Sequence, residues 1–353
     1  MATAAFERGA PTMADMGYDA SALDALVKSA GDAVLAVADA TAGGGASDDV
    51  ERHEIIGGTI EGDDPGAEEP SPEAPVFSRA GEVYELGPHR LVCGDSRDAA
   101  VWARLMGDTR ANVVFTSPPY ASQRKYDESS GFKPIPPDEY VAWWEPLQAC
   151  VREHLAADGS FFVNIKEHCD DGQRHLYVKD LTIAHVRLWG WRFVDEFCWK
   201  RKGVPGGWDY RFKNEWEPVF HFSRATPKCS KFAVGTAGIT FTATDNAAAK
   251  SVAGQSVFNC NGANGKVEHA GLVLPGNVIE ANGATEADHN AAFPVGLPEF
   301  FIKAFSDAGD VIVDPFLGSG STLIASAKNA RVCRGFEISP RYCDVIRRRW
   351  TKY

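Results

Sequence analysis

The chain has 353 residues, of which 44% are hydrophobic and 11% aromatic, and this composition is typical of a globular enzyme. The formal net charge of −12 resides in the first 80 residues, which carry 16 acidic and 4 basic side chains; the remainder is balanced at 32 of each. The acidity therefore does not exclude nucleic acid as a partner of the rest. Eight cysteines without a Cys-x-x-Cys pair predict no bound metal. The absence of a signal peptide and of a membrane-spanning apolar run predicts a cytoplasmic protein with no membrane partner.

Residues 1–80 have the composition of a linker, with a Gly-Gly-Gly run at 43–45 and an acidic, proline-containing stretch over 61–75. We expect a poorly ordered acidic arm here. Apolar residues at helical spacing over 21–38 are compatible with one amphipathic helix, with Ser21 placed to cap it. The rest of the chain, residues 81–353, is predicted to form one domain.

From Glu82 onward, strand patterns alternate with helix patterns. The predicted strands cover 82–86, 89–93, 112–116, 160–165, 193–199, 311–314 and a last strand ending at Glu337. The predicted helices cover 99–106, 138–157, 179–189, 295–307 and 321–330. This alternation predicts an α/β fold with a doubly wound, mostly parallel sheet covered on both faces. Residues 200–275 interrupt the alternation, first with basic and aromatic residues and then with a Gly-, Asn- and Thr-rich stretch. We interpret them as an inserted region.

Two turns at predicted strand ends carry the chemistry. One is Ser117-Pro118-Pro119-Tyr120, directly after the strand 112–116; the other is the glycine-rich turn between the strand 311–314 and the helix that follows. Ligands of open α/β sheets bind at such carboxyl ends of strands, and glycines let the backbone approach a ligand closely. Glu337 ends the next strand, where an acidic side chain can accept hydrogen bonds from both hydroxyls of a ribose.

Taken together, these motifs resemble those of the beta-class amino DNA methyltransferases, which modify cytosine N4 or adenine N6. The resemblance covers residues 82–353 and rests on the Ser-Pro-Pro-Tyr turn, the Asp-Pro-Phe-x-Gly-Ser-Gly-Ser-Thr turn, the segments 289–294 and 335–338, and their order in the chain. It implies an S-adenosylmethionine-dependent methyltransferase fold with an inserted target-recognition region. It also implies a set of residues that bind S-adenosylmethionine: Asp95, His289, Phe293, Pro294, Asp314, Phe316, Gly318, Ser319, Gly320, Ser321, Thr322, Glu337 and Ile338.

The catalytic turn fits amine chemistry. The lone pair of an exocyclic base amine is delocalised into the ring, so an enzyme must draw it toward the methyl donor by accepting hydrogen bonds from the amine hydrogens. Ser117 Oγ and the Pro118 carbonyl can accept these, the two prolines stiffen the turn, and Tyr120 offers a ring on which a flipped base can stack. We therefore assign Ser117, Pro118, Pro119 and Tyr120 as catalytic, with direct transfer to nitrogen and loss of the proton to water.

Serine at position 117 favours cytosine N4 as the target within the resemblance, with adenine N6 as the alternative. Eight basic against three acidic residues over 200–231 indicate phosphate contact, and we assign Lys200, Arg201, Lys202, Arg211 and Lys213 to double-stranded DNA. A solvated basic face is the alternative. A homodimer and a cognate restriction endonuclease are further expected partners, in a bacterial or phage-infected cell.

Two other interpretations of the methyltransferase region are open. An RNA or protein-amide methyltransferase also uses a Pro-Pro-Tyr pocket, but with the cofactor turn before the catalytic one. A subunit that binds DNA and cofactor without catalysis would keep the fold. The arm, with Met16-Gly17-Tyr18-Asp19, resembles the tail that joins ParB-like domains to such methylases in phage and mobile elements.

Overall fold

The computed structural model describes residues 74–121, 132–170, 172–201, 212–237, 272–273, 275–281 and 293–353. The predicted helix at 21–38 and most of the predicted arm lie outside these residues. Six α-helices are described: α1 (Ala99–Met106), α2 (Tyr140–His154), α3 (Tyr177–Arg187), α4 (Gly296–Phe305), α5 (Ser321–Lys328) and α6 (Pro340–Lys352). Short 3-10 helices cover Pro137–Glu139 and Lys231–Val234.

The strands fall into one large sheet and two small hairpins. The sheet strands are β1 (Val83–Leu86), β2 (His89–Cys93), β3 (Ala111–Thr116), β4 (Leu155–Asn164), β7 (Arg192–Lys200), β8 (Trp216–Ser223), β11 (Val278–Ile279), β12 (Val311–Asp314) and β13 (Val332–Glu337). The hairpins are formed by β5 (Cys169–Asp170) with β6 (Gln173–Arg174), and by β9 (Thr236–Ala237) with β10 (Leu272–Val273).

In the described part of the chain, the large sheet has nine strands in the order β1-β2-β13-β12-β3-β4-β8-β7-β11. Strands β2, β13, β12, β3 and β4 are mutually parallel, whereas β1 and β8 run against their neighbours. From β12 the chain moves to β13, and from β3 it moves to β4 in the opposite direction. The boundary between β3 and β12 is therefore a topological switch point, the place where open α/β sheets bind ligands.

The two faces of the sheet have separate hydrophobic cores because side chains alternate along each strand. On β3, Val114 joins the core that contains Trp102, Tyr140 and Tyr177 from α1, α2 and α3. Its neighbour Phe115 joins the other core, to which α4, α5 and α6 contribute. Among the described helices, three thus cover each face. This confirms the predicted α/β fold with a mostly parallel sheet covered on both sides.

Three elements differ from the sequence prediction. The helix predicted over 138–157 ends at His154, where Leu155 turns to an extended backbone and begins β4. The region predicted as an insertion, in which residues 211–222 also resemble a strand of the family, supplies β8, which lies between β4 and β7 with all residues but Trp216 buried. Helix α6 was not predicted; the run Arg347-Arg348-Arg349 interrupts its apolar residues, of which Cys343 and Ile346 are buried.

The chain before β1 is bound to α6. Residues 74–80 were predicted to belong to the loose arm, yet the backbone N–H groups of Phe77 and Ser78 donate to the Asp344 carboxylate at 2.8 and 3.0 Å. The Ser78 hydroxyl donates to the same carboxylate at 2.7 Å. The ordered fold thus includes residues on the arm side of the predicted boundary at 80.

A buried carboxylate joins the strand ends at the switch point. Asp314, the last residue of β12, accepts hydrogen bonds from Thr116 Oγ1 at 2.9 Å, from the Phe316 backbone N–H at 3.0 Å and from Thr322 Oγ1 at 2.6 Å. Burial raises the pKa of Asp314 to about 6, and these three donors work in the opposite direction. The last residue of β3 and the first turn of α5 are consequently held by one side chain.

We expect Thr322→Val to destabilise the protein more at pH 8 than at pH 5. Valine keeps the shape but leaves the Asp314 carboxylate without one donor, which costs about 1–3 kcal/mol of unfolding free energy when the carboxylate is ionised. Because the folded-state pKa of Asp314 is raised, the free energy of unfolding falls as pH rises through about 6 and the carboxyl ionises. The variant raises this pKa further, so its free energy of unfolding keeps falling to a higher pH. Urea unfolding at both pH values measures the difference.

Thr182→Val is the matched control, because Thr182 Oγ1 donates to the Val178 carbonyl within α3, an acceptor that does not titrate. Its effect should be the same at both pH values. An equal loss at pH 5 and pH 8 for Thr322→Val would contradict the role given to Asp314.

Candidate active site

The turn after β3 is fixed by contacts to α2. Tyr140 Oη donates to the Pro119 carbonyl at 2.7 Å, and the backbone N–H of Ala121 donates to the same oxygen at 3.2 Å. Ala121 has a φ of +35°, a left-handed conformation that is unusual for a residue with a Cβ. No hydrogen bond reaches the Pro118 carbonyl from the residues that the structure describes. The turn is therefore held through Pro119, and Pro118 keeps an acceptor for another molecule.

Tyr120 points into the protein. Its hydroxyl lies 3.2 Å from Ser117 Oγ, 3.1 Å from Glu217 Oε2 and 3.4 Å from Asn164 Oδ1. The residue is only 3% exposed. Stacking of a base on its ring, as predicted from the sequence, would require a rearrangement and stays a prediction. In this structure Tyr120 is instead a link between the catalytic turn and β8.

Glu217 is a buried carboxylate of β8 beneath the catalytic turn. Lys166 Nζ lies 2.5 Å and Arg201 Nη1 2.6 Å from its Oε1 atom. Burial by itself raises the pKa of Glu217, but these two cations outweigh it and hold the pKa below its usual value. The site prediction missed Glu217. The available signal was a glutamate inside an otherwise apolar strand pattern.

The turn after β12 depends on glycines. Gly318 and Gly320 have φ values of +56° and +92°, which favour residues without a Cβ. On the neighbouring strand, a Cβ at Gly335 would overlap the Leu317 side chain. Phe316 of the turn stacks on Trp143 with ring centroids 5.9 Å apart, and the Arg97 guanidinium lies 5.2 Å from the Trp143 ring centre.

Glu337 ends β13 beside this turn. Its Oε2 accepts the Gly318 N–H at 3.0 Å and its Oε1 accepts the Ser339 N–H at 2.8 Å. The residue keeps some exposed surface, but protein encloses its carboxylate. This burial raises the pKa to about 7, against the effect of the two backbone donors. The Glu337 carbonyl accepts the Gly94 N–H at 2.9 Å, so the chain after β2 reaches the same corner.

The other predicted cofactor residues that the structure describes surround this corner. The Asp95 carboxylate pairs with Arg97 at 2.7 Å, and Ser321 Oγ donates to the Phe293 carbonyl at 3.0 Å. The Ser319 carbonyl accepts from Arg349 of α6 at 2.8 Å. Pro294 leads into α4, and Ile338 directly follows Glu337. His289 lies outside the described residues.

The predicted DNA-binding residues that the structure describes have different surroundings. Lys200 Nζ pairs with Glu280 at 2.8 Å, Arg201 turns toward Glu217, and Lys213 is exposed. Lys202 and Arg211 fall outside the described part of the chain. Within that part, no cluster of three metal-ligating side chains occurs, and no helix is long and apolar enough to cross a membrane.

This corner fits a nucleoside-containing ligand. Glu337 presents a carboxylate beside a turn in which Gly318 and Gly320 lack β-carbons, and the buried Ser96 hydroxyl beside Asp95 has no hydrogen-bond partner among the described residues. The catalytic turn and the glycine turn leave adjacent parallel strands at their carboxyl ends. A ligand at Glu337 would therefore share one edge of the sheet with Ser117.

Comparisons with known proteins agree with this geometry. Residues 111–348 match a family model described as DNA methylase. The type II methyltransferase M.PvuII of Proteus hauseri is 26% identical over 295 residues, which are 74% of this chain and 83% of that protein. The type II beta methyltransferase M.BslI of Bacillus sp. (strain NEB-606) is 26% identical over 293 residues, 79% of this chain but 29% of that protein.

A solved structure entitled PvuII DNA methyltransferase (cytosine-N4-specific) shares the fold, with a TM-score of 0.54 and 23% identity over 73% of this chain and 85% of that one. The family match covers well over half of the residues, with both turns inside it. The chain therefore belongs to the DNA methylase family of N6- and N4-amino methyltransferases, and S-adenosylmethionine is its cofactor.

Proposed function

We propose that this DNA methyltransferase transfers the methyl group to N4 of cytosine in double-stranded DNA, on a base flipped out of the helix. The observation that carries the proposal is the 2.9 Å hydrogen bond from Thr116 to Asp314, which ties the strand before the catalytic turn to the strand before the cofactor turn. Methyl transfer to nitrogen needs donor and acceptor side by side, and this bond places their two turns next to each other.

The cofactor would lie across the ends of β12 and β13. When bound, S-adenosylmethionine supplies a methyl group on a positively charged sulfur. Glu337 would accept hydrogen bonds from the two ribose hydroxyls, exchanging its contact to the Gly318 N–H. Asp95 and Phe316 would border the adenine, and Phe293, Pro294 and the turn from Gly318 to Thr322 would border the rest of the cofactor. Asp314 and Thr322 contact each other, so their part is to shape the turn.

The catalytic turn would activate the amine by accepting hydrogen bonds. Ser117 Oγ and the Pro118 carbonyl would each accept a hydrogen bond from one amine hydrogen. These bonds draw the nitrogen lone pair out of conjugation with the ring and toward the methyl group. Pro119, held by Tyr140, keeps the carbonyl of its neighbour in place. Catalysis by this site rests on positioning and fixed dipoles, and the proton leaves to water.

Cytosine is proposed because serine occupies the first position of the catalytic turn, and because the similar structure is entitled cytosine-N4-specific. Adenine N6 is the alternative within the same fold and mechanism.

The exposed Lys213, with Lys202 and Arg211, remains the proposed phosphate contact. Lys200 and Arg201 would have to exchange their carboxylate partners for phosphates. The type II relatives support a cognate endonuclease as a partner, and a homodimer remains a proposal.

We expect the purified protein, incubated with labelled S-adenosylmethionine and duplex DNA of mixed sequence, to produce N4-methylcytosine. Ser117→Ala should reduce kcat by roughly a hundredfold to a thousandfold, the range for loss of one group that stabilises a transition state. Nucleoside mass spectrometry after digestion identifies the product. The exposed Ser230→Ala is the matched control and should leave kcat unchanged.

Each outcome of this experiment has one meaning. N6-methyladenine would overturn the choice of base and keep the mechanism. Transfer of the label to RNA or protein in parallel incubations, with the DNA left unmodified, would overturn the substrate class. Cofactor binding and a DNA gel shift without any methylated nucleoside would identify a subunit without catalytic activity.

Cofactor affinity should depend on pH through Glu337. Binding to the ribose hydroxyls needs the ionised carboxylate, since a protonated one can no longer accept from both. With a pKa of about 7 before binding, the Kd should be constant above pH 8 and rise as pH falls, by about tenfold per unit below 7. Isothermal titration calorimetry between pH 5.5 and 8.5 measures this.

Glu337→Gln is the matched variant because the amide keeps the size of the side chain. It should bind the cofactor weakly, with little change of Kd over the same pH range. Asp314 stays in place in this variant and titrates near pH 6. An undiminished pH dependence in Glu337→Gln would therefore assign the proton to Asp314 and contradict the role proposed for Glu337.

A further inference from the structure

A chain of three side chains runs from β8 to the catalytic turn. Glu217 Oε2 lies 3.1 Å from Tyr120 Oη, and Tyr120 Oη lies 3.2 Å from Ser117 Oγ. Glu217 and Tyr120 are buried, whereas Ser117 is only partly buried. Residues 97 positions apart in the sequence thus form one hydrogen-bonded line that ends on the proposed amine acceptor.

Glu217 sets the direction of the first hydrogen bond. Lys166 and Arg201 contact its other oxygen and keep the pKa of the carboxyl low, so the group is ionised and can only accept. The single proton of the Tyr120 hydroxyl therefore points to Glu217. Asn164 Oδ1 competes for it less well, because it is neutral and farther away at 3.4 Å.

The direction of the second hydrogen bond follows from the first. The Tyr120 hydroxyl already donates its one proton to the hydrogen bond with Glu217. Its oxygen can therefore only accept a hydrogen bond from Ser117. The Ser117 hydroxyl consequently donates to Tyr120, and its proton is turned toward the protein interior. The lone pairs of Ser117 Oγ then face outward, where the amine hydrogens of a base would arrive.

We propose that Glu217 is a positioning residue whose negative charge, passed on through Tyr120, makes Ser117 a hydrogen-bond acceptor for the target amine. The proposal rests on the amino-methyltransferase function proposed above. A serine hydroxyl can otherwise turn its proton toward the incoming amine, and two facing hydrogens repel each other. A buried carboxylate linked to Ser117 only through a tyrosine decides between these two orientations.

The test compares Glu217→Gln in two backgrounds. The glutamine amide can donate a hydrogen bond to the Tyr120 oxygen. The Tyr120 proton is then free to point to Ser117, so the direction of both hydrogen bonds is reversed. In the otherwise unchanged protein, Glu217→Gln should lower kcat by roughly tenfold to a hundredfold, the effect expected for a hydrogen bond to a charged group. The Kd of S-adenosylmethionine should stay the same. In a Ser117→Ala protein, which has no hydroxyl to orient, Glu217→Gln should cause no further loss of kcat.

A control variant separates an effect on the orientation of the Ser117 hydroxyl from a general loss of stability. Glu299→Gln changes another buried glutamate, which pairs with Lys303 within α4. It should lower the melting temperature like Glu217→Gln and leave kcat unchanged. An equal fall in kcat from Glu217→Gln with and without the Ser117 hydroxyl would show a general structural role and overturn the proposal.

A second measurement does not need activity. Neutron diffraction from deuterated crystals should place the Tyr120 deuteron on the line to Glu217 and the Ser117 deuteron on the line to Tyr120. A Tyr120 deuteron directed at Ser117 would refute the proposal even in an active enzyme. If these deuterons lie as expected and no base is methylated, the proposed function fails and the hydrogen-bond direction stands.

Discussion

The site depends on one buried carboxylate, that of Asp314. Moving an ionised carboxylate from water into a protein interior costs several kcal/mol unless hydrogen bonds replace the lost hydration. Here the replacement comes from Thr116, Thr322 and the backbone of Phe316, three groups that belong to β3, α5 and the turn between β12 and α5. Each donor is therefore fixed in place, and so is the distance between the two functional turns.

The same rule, that a buried charge must be surrounded by partners, shapes the two other carboxylates of the site. Glu337 accepts from backbone N–H groups and forms no ion pair with the residues that the structure describes; burial raises its pKa to about 7 and leaves it ready to exchange a donor for a ligand. Glu217 has two cations and stays ionised. One carboxylate is thus suited to respond to binding, and the other supplies a constant negative charge under the catalytic turn.

Much of the fold could be predicted from the sequence because its signals are local. Strand β3 followed by Pro118-Pro119, and strand β12 followed by a glycine turn, are read from neighbouring residues, and the structure has both strands where they were predicted. The pairing of β3 with β12 was not predicted, because no local pattern gives the order of the strands in the sheet. The assignments of individual cofactor and DNA residues remain predictions.

The remaining features depend on contacts between distant parts of the chain. Strand β8 lies in a segment whose basic and aromatic composition indicated an insertion, and only its place between β4 and β7 shows why its side chains are buried. Arg201 was assigned to DNA from charge alone, whereas its partner Glu217 is 16 residues away in the sequence. The burial of Tyr120 similarly requires Asn164 and Glu217, which no pattern around position 120 indicates.

The most direct measurement is a crystal structure of the protein with S-adenosylmethionine bound. We predict the ribose hydroxyls on the Glu337 carboxylate, the adenosyl group beside Phe316, and the methyl group directed toward Ser117 Oγ and the Pro118 carbonyl. We also predict that the Thr116–Asp314–Thr322 contacts remain as they are. A cofactor that occupies another edge of the sheet, or a methyl group directed away from Ser117, would contradict the central claim that the β3–β12 boundary brings donor and acceptor together.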